Sequence, residues 1–402
     1  MIVMKKIKIL IFLFTTIFLT GCGNYRELND LAITTGIAFD IKDDEYIVSY
    51  MVANSNKAET DSKSSETKIT VYEGTGNTIS SAYMDLNSKN PKIPYISHLE
   101  VVIISEDLAK KGMIEALDFL MRNPESRKEF YVVLSKDIEA GTLLKTLAPL
   151  ESFPSQNIAE IIKSNKDDQS TIVMQKYSDV ITDLIDDGVE PIINGIELIG
   201  DKEAGQTQES LEKATPSAII KIDTIGIFKE DKLLGWSSHD ETVGINIINN
   251  DAGFVLLETK CDDKYMTSTL KDIKTEPIIT FEKDMPKIKL RIKADGAILE
   301  MQCKRNLEET KVMKELEKEF NAKLKNIIDE TINMAQKRYK TDIFGFGNYI
   351  YKNNLKKWNA IKNEWDNEIF PNMTIETEIN INLNNKGSLE QSLKEVIKWI
   401  KK

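Results

Sequence analysis

The 402-residue chain carries 53 Lys and Arg against 64 Asp and Glu, and a net charge of −11 disfavours nonspecific binding to nucleic acid. A hydrophobic fraction of 41% with 29% charged residues describes an ordinary globular protein, and the length exceeds what one core usually organises, so two or three domains are expected. The histidines are His98 and His239, and no Cys-x-x-Cys occurs, so no metal-ligand spacing and no cofactor motif is present.

The chain opens with Lys5, Lys6 and Lys8, continues with an apolar run from Ile9 to Leu19, and reaches Cys22 through Thr20-Gly21. A basic start, a short apolar core and small residues before a cysteine read as a lipoprotein signal peptide over residues 1–21. Cys22 would become the mature N-terminus and carry diacylglycerol on its thiol. The apolar run is about half of the roughly 20 residues that a spanning helix needs. Two acyl chains, at about 0.8 kcal/mol per buried CH₂, hold a protein on a bilayer where one chain would not. Loss of residues 1–21 removes three lysines and no acids, leaving 50 basic and 64 acidic residues.

Leu31 to Ile41 and Glu45 to Ala53 read as a hairpin around Lys42-Asp43-Asp44. A polar loop, Asn54 to Glu66, precedes a strand at Lys68 to Tyr72 and a turn at Gly74-Thr75-Gly76-Asn77. Ile79, Ala82, Tyr83 and Leu86 then recur at helical spacing. Leu99 to Ile104 has the composition of a buried strand, Glu106 to Arg122 reads as one helix ended by Asn123-Pro124, and Tyr131 to Leu134 as another strand. Short helices are expected at Asn157 to Lys163 and Asp179 to Asp186. The alternation indicates an N-terminal mixed α/β domain over residues 22–199.

The polar segment 200–217 is the expected linker to a C-terminal α+β domain over residues 218–399. That domain would open with a hairpin, Ala218 to Phe228 and Lys232 to Trp236. Further β runs at Ala252 to Thr259, Glu276 to Phe281 and Lys287 to Leu299 imply an antiparallel sheet. One long helix from near Asn306 carries an apolar stripe through Leu316, Phe320, Leu324, Ile328 and Ile332 that should pack on this sheet. Asp342-Ile343-Phe344-Gly345-Phe346-Gly347 breaks it. A second helix is expected at Asn348 to Trp365 and a last strand at Thr374 to Leu383. Leu389 to Lys402 is a short basic amphipathic tail. The fold class is therefore α+β in several domains, with a further division of the C-terminal half possible near 285–305.

Catalytic signatures are missing. Gly74-Thr75-Gly76 lacks the Lys-Ser/Thr of a phosphate loop, and Ser237-Ser238-His239-Asp240 reads as a surface turn with no Gly-x-Ser-x-Gly elsewhere. Acid pairs such as Asp186-Asp187 are dispersed, as solvated turns are. With Cys22 acylated, Cys261 and Cys303 remain; they could form a disulfide in an exported chain or be two small buried hydrophobes.

The run Gly21-Cys22-Gly23-Asn24-Tyr25-Arg26-Glu27-Leu28, leading into Gly36-Ile37-Ala38-Phe39-Asp40, resembles the start of the spore germination lipoproteins of the Ger(x)C type. Gly23 stands where that family typically has tryptophan, and Ala38 where it has a second glycine. Blocks in the same order strengthen the resemblance: Asn90-Pro91 to Val101, Gly226-Ile227-Phe228 with Leu233-Leu234-Gly235-Trp236, Glu241-Thr242 with Gly244, and Asp342 to Gly347. Ser237, where relatives often carry leucine, is a minor departure. The resemblance spans roughly residues 20 to 385.

It implies a nonenzymatic receptor subunit of three α/β domains on the outer face of the spore inner membrane. The implied partners are integral-membrane germinant receptor subunits of the A and B type, with Phe344, Gly345, Phe346 and Gly347 as a candidate contact. Two other readings remain open on the residues alone. A lipid-anchored solute-binding protein of an import system would show two similar α/β lobes around a cleft. An exported hydrolase would need a pocket joining a nucleophile to His98 or His239.

Overall fold

Asp43 and Asp44 both have positive φ, 50° and 65°, so the two-residue turn between β1 (Leu31–Lys42) and β2 (Glu45–Ala53) twists in the sense that a tight hairpin requires. The computed structural model, in which this hairpin opens the fold, describes residue 27 and residues 30–54, 68–283 and 285–385. Cys22 and the tail 389–402 lie outside them.

β3 (Ile69–Gly76) pairs antiparallel with β2, and the helix α1 (Ile79–Lys89), capped by Thr78, packs behind it. β4 (Ile93–Tyr95) runs parallel to the first residues of β1. β5 (Val101–Ser105) and β6 (Tyr131–Ser135) are buried at every position, as central parallel strands covered on both faces should be. Between them lie α2 (Glu106–Lys111) and α3 (Ile114–Arg122). The single helix expected over 106–122 is split, because Gly112 takes φ 137° and turns the chain. After β6, α4 (Ala140–Lys145) and α5 (Pro154–Gln169) cover one face of the sheet, and α6 (Tyr177–Ile185) joins α1 to α3 on the other.

β7 (Ile192–Gly200), β8 (Ala218–Lys229) and β9 (Lys232–Trp236) complete a nine-stranded mixed sheet of order β3-β2-β1-β5-β6-β7-β8-β9, with β4 beside β1. This corrects the sequence reading of the hairpin 218–236. It does not open the second sheet; β8 pairs with β7 from Ile192 to Gly200, so segment 200–217 is a connection within one sheet. Polarity alone made the segment look like a linker. It holds two short helical turns, Ala204–Gln206 and Gln208–Leu211. Ser238 then caps α7 (His239–Ile248) in a box with Glu241, so the expected surface turn at 237–240 is a helix start.

The second sheet has the order β10-β11-β12-β13, built from β10 (Val255–Cys261), β11 (Lys264–Glu282), β12 (Met285–Met301) and β13 (Thr374–Asn385). β12 runs unbroken through Met285–Met301, within the stretch 285–305 where a further division was expected, and the described residues form two sheets. β13 is parallel to β12, which corrects the expectation of a wholly antiparallel sheet. The reason is the crossover: α8 (Thr310–Asn333), extended by a π-helical turn at Met334–Tyr339, carries the chain back along the sheet before β13 begins.

The stripe of α8 behaves as its spacing requires. Leu316, Phe320, Leu324 and Ile328 are fully buried against Ile288, Leu290 and Ile292 of β12. α8 also guards the edge of β13, since Asn321 and Glu317 accept hydrogen bonds from the backbone N–H groups of Ile381 and Leu383 at 3.0 and 3.2 Å. On the outer face Lys287 pairs with Glu376 and Lys289 with Glu378. The helix expected over 348–365 is interrupted at Asn354, which separates α9 (Phe346–Asn353) from α10 (Leu355–Ile361) and caps the latter.

Cys261, at the end of β10, is bonded to Cys303, just beyond β12, with Cα atoms 5.8 Å apart. Both are buried, so each is also the small core residue that the sequence allowed. The bridge closes a loop across 42 positions, a constraint on the unfolded chain of about 4 kcal/mol in the loop-entropy account. The double substitution Cys261→Ala/Cys303→Ala should lower the unfolding free energy by about that amount in urea titrations under oxidising conditions. Equal stability of variant and parent would contradict it.

Candidate functional site at the seam of the two halves

Gly188, between α6 and β7, and Gly347, at the start of α9, meet back to back. A Cβ on Gly188 would lie 2.7 Å from the Gly347 Cα, and one on Gly347 would lie 2.8 Å from the Gly188 Cα. Gly188 also takes φ 75°, which a side chain would strain. Backbone bonds lace the two segments together, Asn348 N–H to the Gly188 carbonyl at 2.9 Å and Glu190 N–H to the Asp342 carbonyl at 3.0 Å. Trp358 Nε1–H donates to Asp187 at 3.1 Å, and Asn348 Nδ2–H to Asp186 at 3.2 Å.

The turn that breaks the long helix is organised from inside by Asp342. Its carboxylate accepts from the N–H groups of Phe344, Phe346 and Gly347 at 3.2, 3.3 and 2.8 Å, and from Trp365 Nε1–H at 3.1 Å. Burial pushes this carboxyl up to about 7, against the pull of the four donors. Phe346 and Gly347 are buried, and Phe344 and Gly345 are partly so. The structure places Phe344, Gly345, Phe346 and Gly347, expected as a partner contact, at a contact within the chain, with Phe344 and Gly345 still part-exposed. Its aromatic and glycine composition serves close packing against Gly188, Val189 and Trp365.

Above this joint lies a cleft of about 970 Å³ between α3, α6 and the segment after α10. Acids from both halves line it. Burial pushes the carboxyl of Asp183 up to about 7, with Asp179 and Asp186 nearby adding to the effect. Glu190 is raised to about 7, again by burial first and then by the charge of Asp366, while a hydrogen bond from the Glu230 N–H opposes both. Asp366 is raised by burial, with Lys229 opposing. Only the dispersed pair Asp186-Asp187 was visible in the sequence. Asp183 and Glu190 flank that pair within a few residues of the chain, whereas no local signal links it to Asp366, which the Gly188–Gly347 contact brings to the same cleft.

His98 is exposed beside Tyr95 and His239 is exposed at the start of α7, and neither lines this cleft. The sulfurs of Cys261 and Cys303 are joined to each other and so do not serve as ligands beside Asp262.

Asp342→Ala would take the acceptor from four N–H donors, three of them buried, and should destabilise the chain by about 3 kcal/mol or more, with Asp342→Asn costing less because one acceptor oxygen remains. Denaturant midpoints of the two variants check this order. The seam acids set a pH dependence whose sign is fixed. Their folded pKa values lie above the unfolded 3.8 of Asp and 4.5 of Glu, so the folded chain binds more protons. Their contribution is complete below about pH 4 and is lost as the pH rises through about 7. Asp183→Asn should flatten the fall of the thermal midpoint over that window, and an unchanged slope would contradict the assignment.

Two family descriptions match the chain. Residues 24–198 match the "Spore germination protein N-terminal domain", and residues 223–387 match "Spore germination B3/ GerAC like, C-terminal". Spore germination protein KC of Bacillus subtilis is 28% identical over 98% of this chain and 99% of its own. Spore germination protein B3 of the same organism is 23% identical, covering 95% and 98%. The crystal structure of the GerBC protein superposes with a TM-score of 0.54 over 87% of this chain and 97% of its own, at 21% identity, which shows a shared fold. Two adjoining matches that together take in most of the chain make it a member of the GerAC-type, or Ger(x)C, family of spore germination proteins.

Proposed function

We propose that this chain is a noncatalytic subunit of a spore germinant receptor, tethered by diacylglycerol on Cys22 to the outer face of the spore inner membrane. There it assembles with integral-membrane subunits of the A and B type. The observation that carries the reading is where the family match begins: at residue 24, two residues after a cysteine that follows a basic and apolar leader. Among the described residues no helix is long and apolar enough to cross a membrane, which is compatible with attachment through a lipid.

Tethering confines encounter to two dimensions and raises effective concentration, so modest interfaces suffice for assembly with membrane partners. The import-type alternative is disfavoured by architecture. Its two lobes should be alike, whereas a nine-stranded sheet here adjoins a four-stranded one with a different strand order.

Cys22→Ala should leave the folded chain intact, move it from the membrane fraction of spores to the soluble fraction, and reduce nutrient-triggered germination. Germination at the normal rate by spores carrying soluble Cys22→Ala protein would refute the role of the tether.

A further inference from the structure

The cleft at the seam has an apolar wall facing solvent. Ile114 and Met121 of α3 and Ile185 of α6 are 46%, 45% and 75% exposed, and all three line it. Single exposed apolar residues are ordinary, but three on one concave surface suit a second apolar surface. The rim is strongly acidic, with nine carboxylates and two cations among the described lining residues, and one of those cations, Arg122, is paired with Asp118 at 2.7 Å. An amphipathic helix with a basic polar face has the matching chemistry.

The chain itself contains such a segment. Residues 386–402 hold five lysines and two glutamates, the reverse of the acidic balance of the whole. Leu389, Leu393, Val396, Ile397 and Ile400 recur at helical spacing, with Lys394, Lys398, Lys401 and Lys402 among them. We infer that the basic tail 389–402 of one copy docks as an amphipathic helix in the acidic, apolar cleft of a second copy.

The fold argues for a second copy over self-docking. β13 starts at Thr374, close in sequence to the cleft-lining Trp365 and Asp366, and advances about 36 Å to Asn385. Residues 386–388 extended, followed by 389–402 as a helix, reach at most about 35 Å from that point. Only the tip of such a helix could return to its own cleft, whereas a neighbour's cleft imposes no such limit. The inference rests on cleft and tail alone and stands apart from the germination reading.

The test uses the mature full-length chain in detergent micelles, with the synthetic peptide 386–402 as probe. Sedimentation velocity should show association that grows with protein concentration, weakens with salt, and is reversed by added peptide. Ile185→Glu should weaken both self-association and peptide binding by about tenfold or more, while Leu150→Glu, at a 93% exposed position outside the cleft, should change neither. Reversal of Lys394, Lys398, Lys401 and Lys402 to Glu should abolish association in the full chain without altering its thermal midpoint.

A chain that stays monomeric at all concentrations would overturn the inference. So would peptide binding that ignores Ile185→Glu, association that survives the lysine reversal, or a peptide that binds vesicles of anionic phospholipid but not the protein. Loss of membrane attachment in Cys22→Ala spores bears on the tether alone, so the two failures are distinguishable.

Discussion

One buried carboxylate holds the joint on which the rest of this structure depends. Asp342 accepts four N–H donors from a six-residue turn and from Trp365, so the turn has a single arrangement in which all its inward-facing donors are satisfied. That arrangement presents Gly347 to Gly188 with no room for a side chain on either, and the two halves meet at backbone distance. A contact of that kind is intolerant of sliding, because a small shift would bring backbone atoms into collision or break the bonds from Asn348 and Glu190. The halves are thus a fixed pair, and their shared apolar core, running from Ile225 and Ile227 of β8 through α7 to α8, reinforces the arrangement.

The same closeness explains the chemistry of the cleft. Drawing Asp183, Glu190 and Asp366 into one partly enclosed space takes water from each carboxyl and sets like charges near one another, so the acids become reluctant to ionise. Joint and cleft work against each other: the packing that fixes the halves concentrates charge that strains them as the pH rises. Elsewhere the acids are solvated or matched, as Glu376 and Glu378 are by lysines across the outer face of the second sheet. The acidic balance of the chain is therefore unevenly felt, and the seam feels it most.

Local elements were legible in the sequence where one periodicity dominated. The β1–β2 hairpin, the strands at 101–105 and 131–135, and the apolar stripe of α8 follow directly from alternation, from continuous hydrophobic runs and from 3.6-residue spacing. What the sequence hid was assignment between elements. The hairpin 218–236 has the same pattern whichever sheet receives it, and only the register with Ile192–Gly200 decides. The parallel course of β13 is likewise a consequence of the α8 crossover, which no residue of β13 encodes. At the site, two glycines and two phenylalanines between helices suit a surface contact and an internal joint equally. The internal joint rests on the buried Asp342 and the distant Gly188, which lie far apart in sequence.

A fixed joint would limit how the proposed tethered subunit acts on neighbours. With the halves held together through Gly188, Gly347 and Asp342, a displacement of β1 would be expected to carry the second sheet with it. The groove walls, α3 and α6 on one side and the segment after α10 on the other, stand on either side of that joint. Preformed surfaces bind with less ordering cost than flexible ones, and confinement to a bilayer through the proposed anchor would supply the concentration. A rigid seam and the proposed lipid anchor would in that sense be complementary: the anchor would leave the chain free to find partners in the plane, and the seam would give it one shape to offer them.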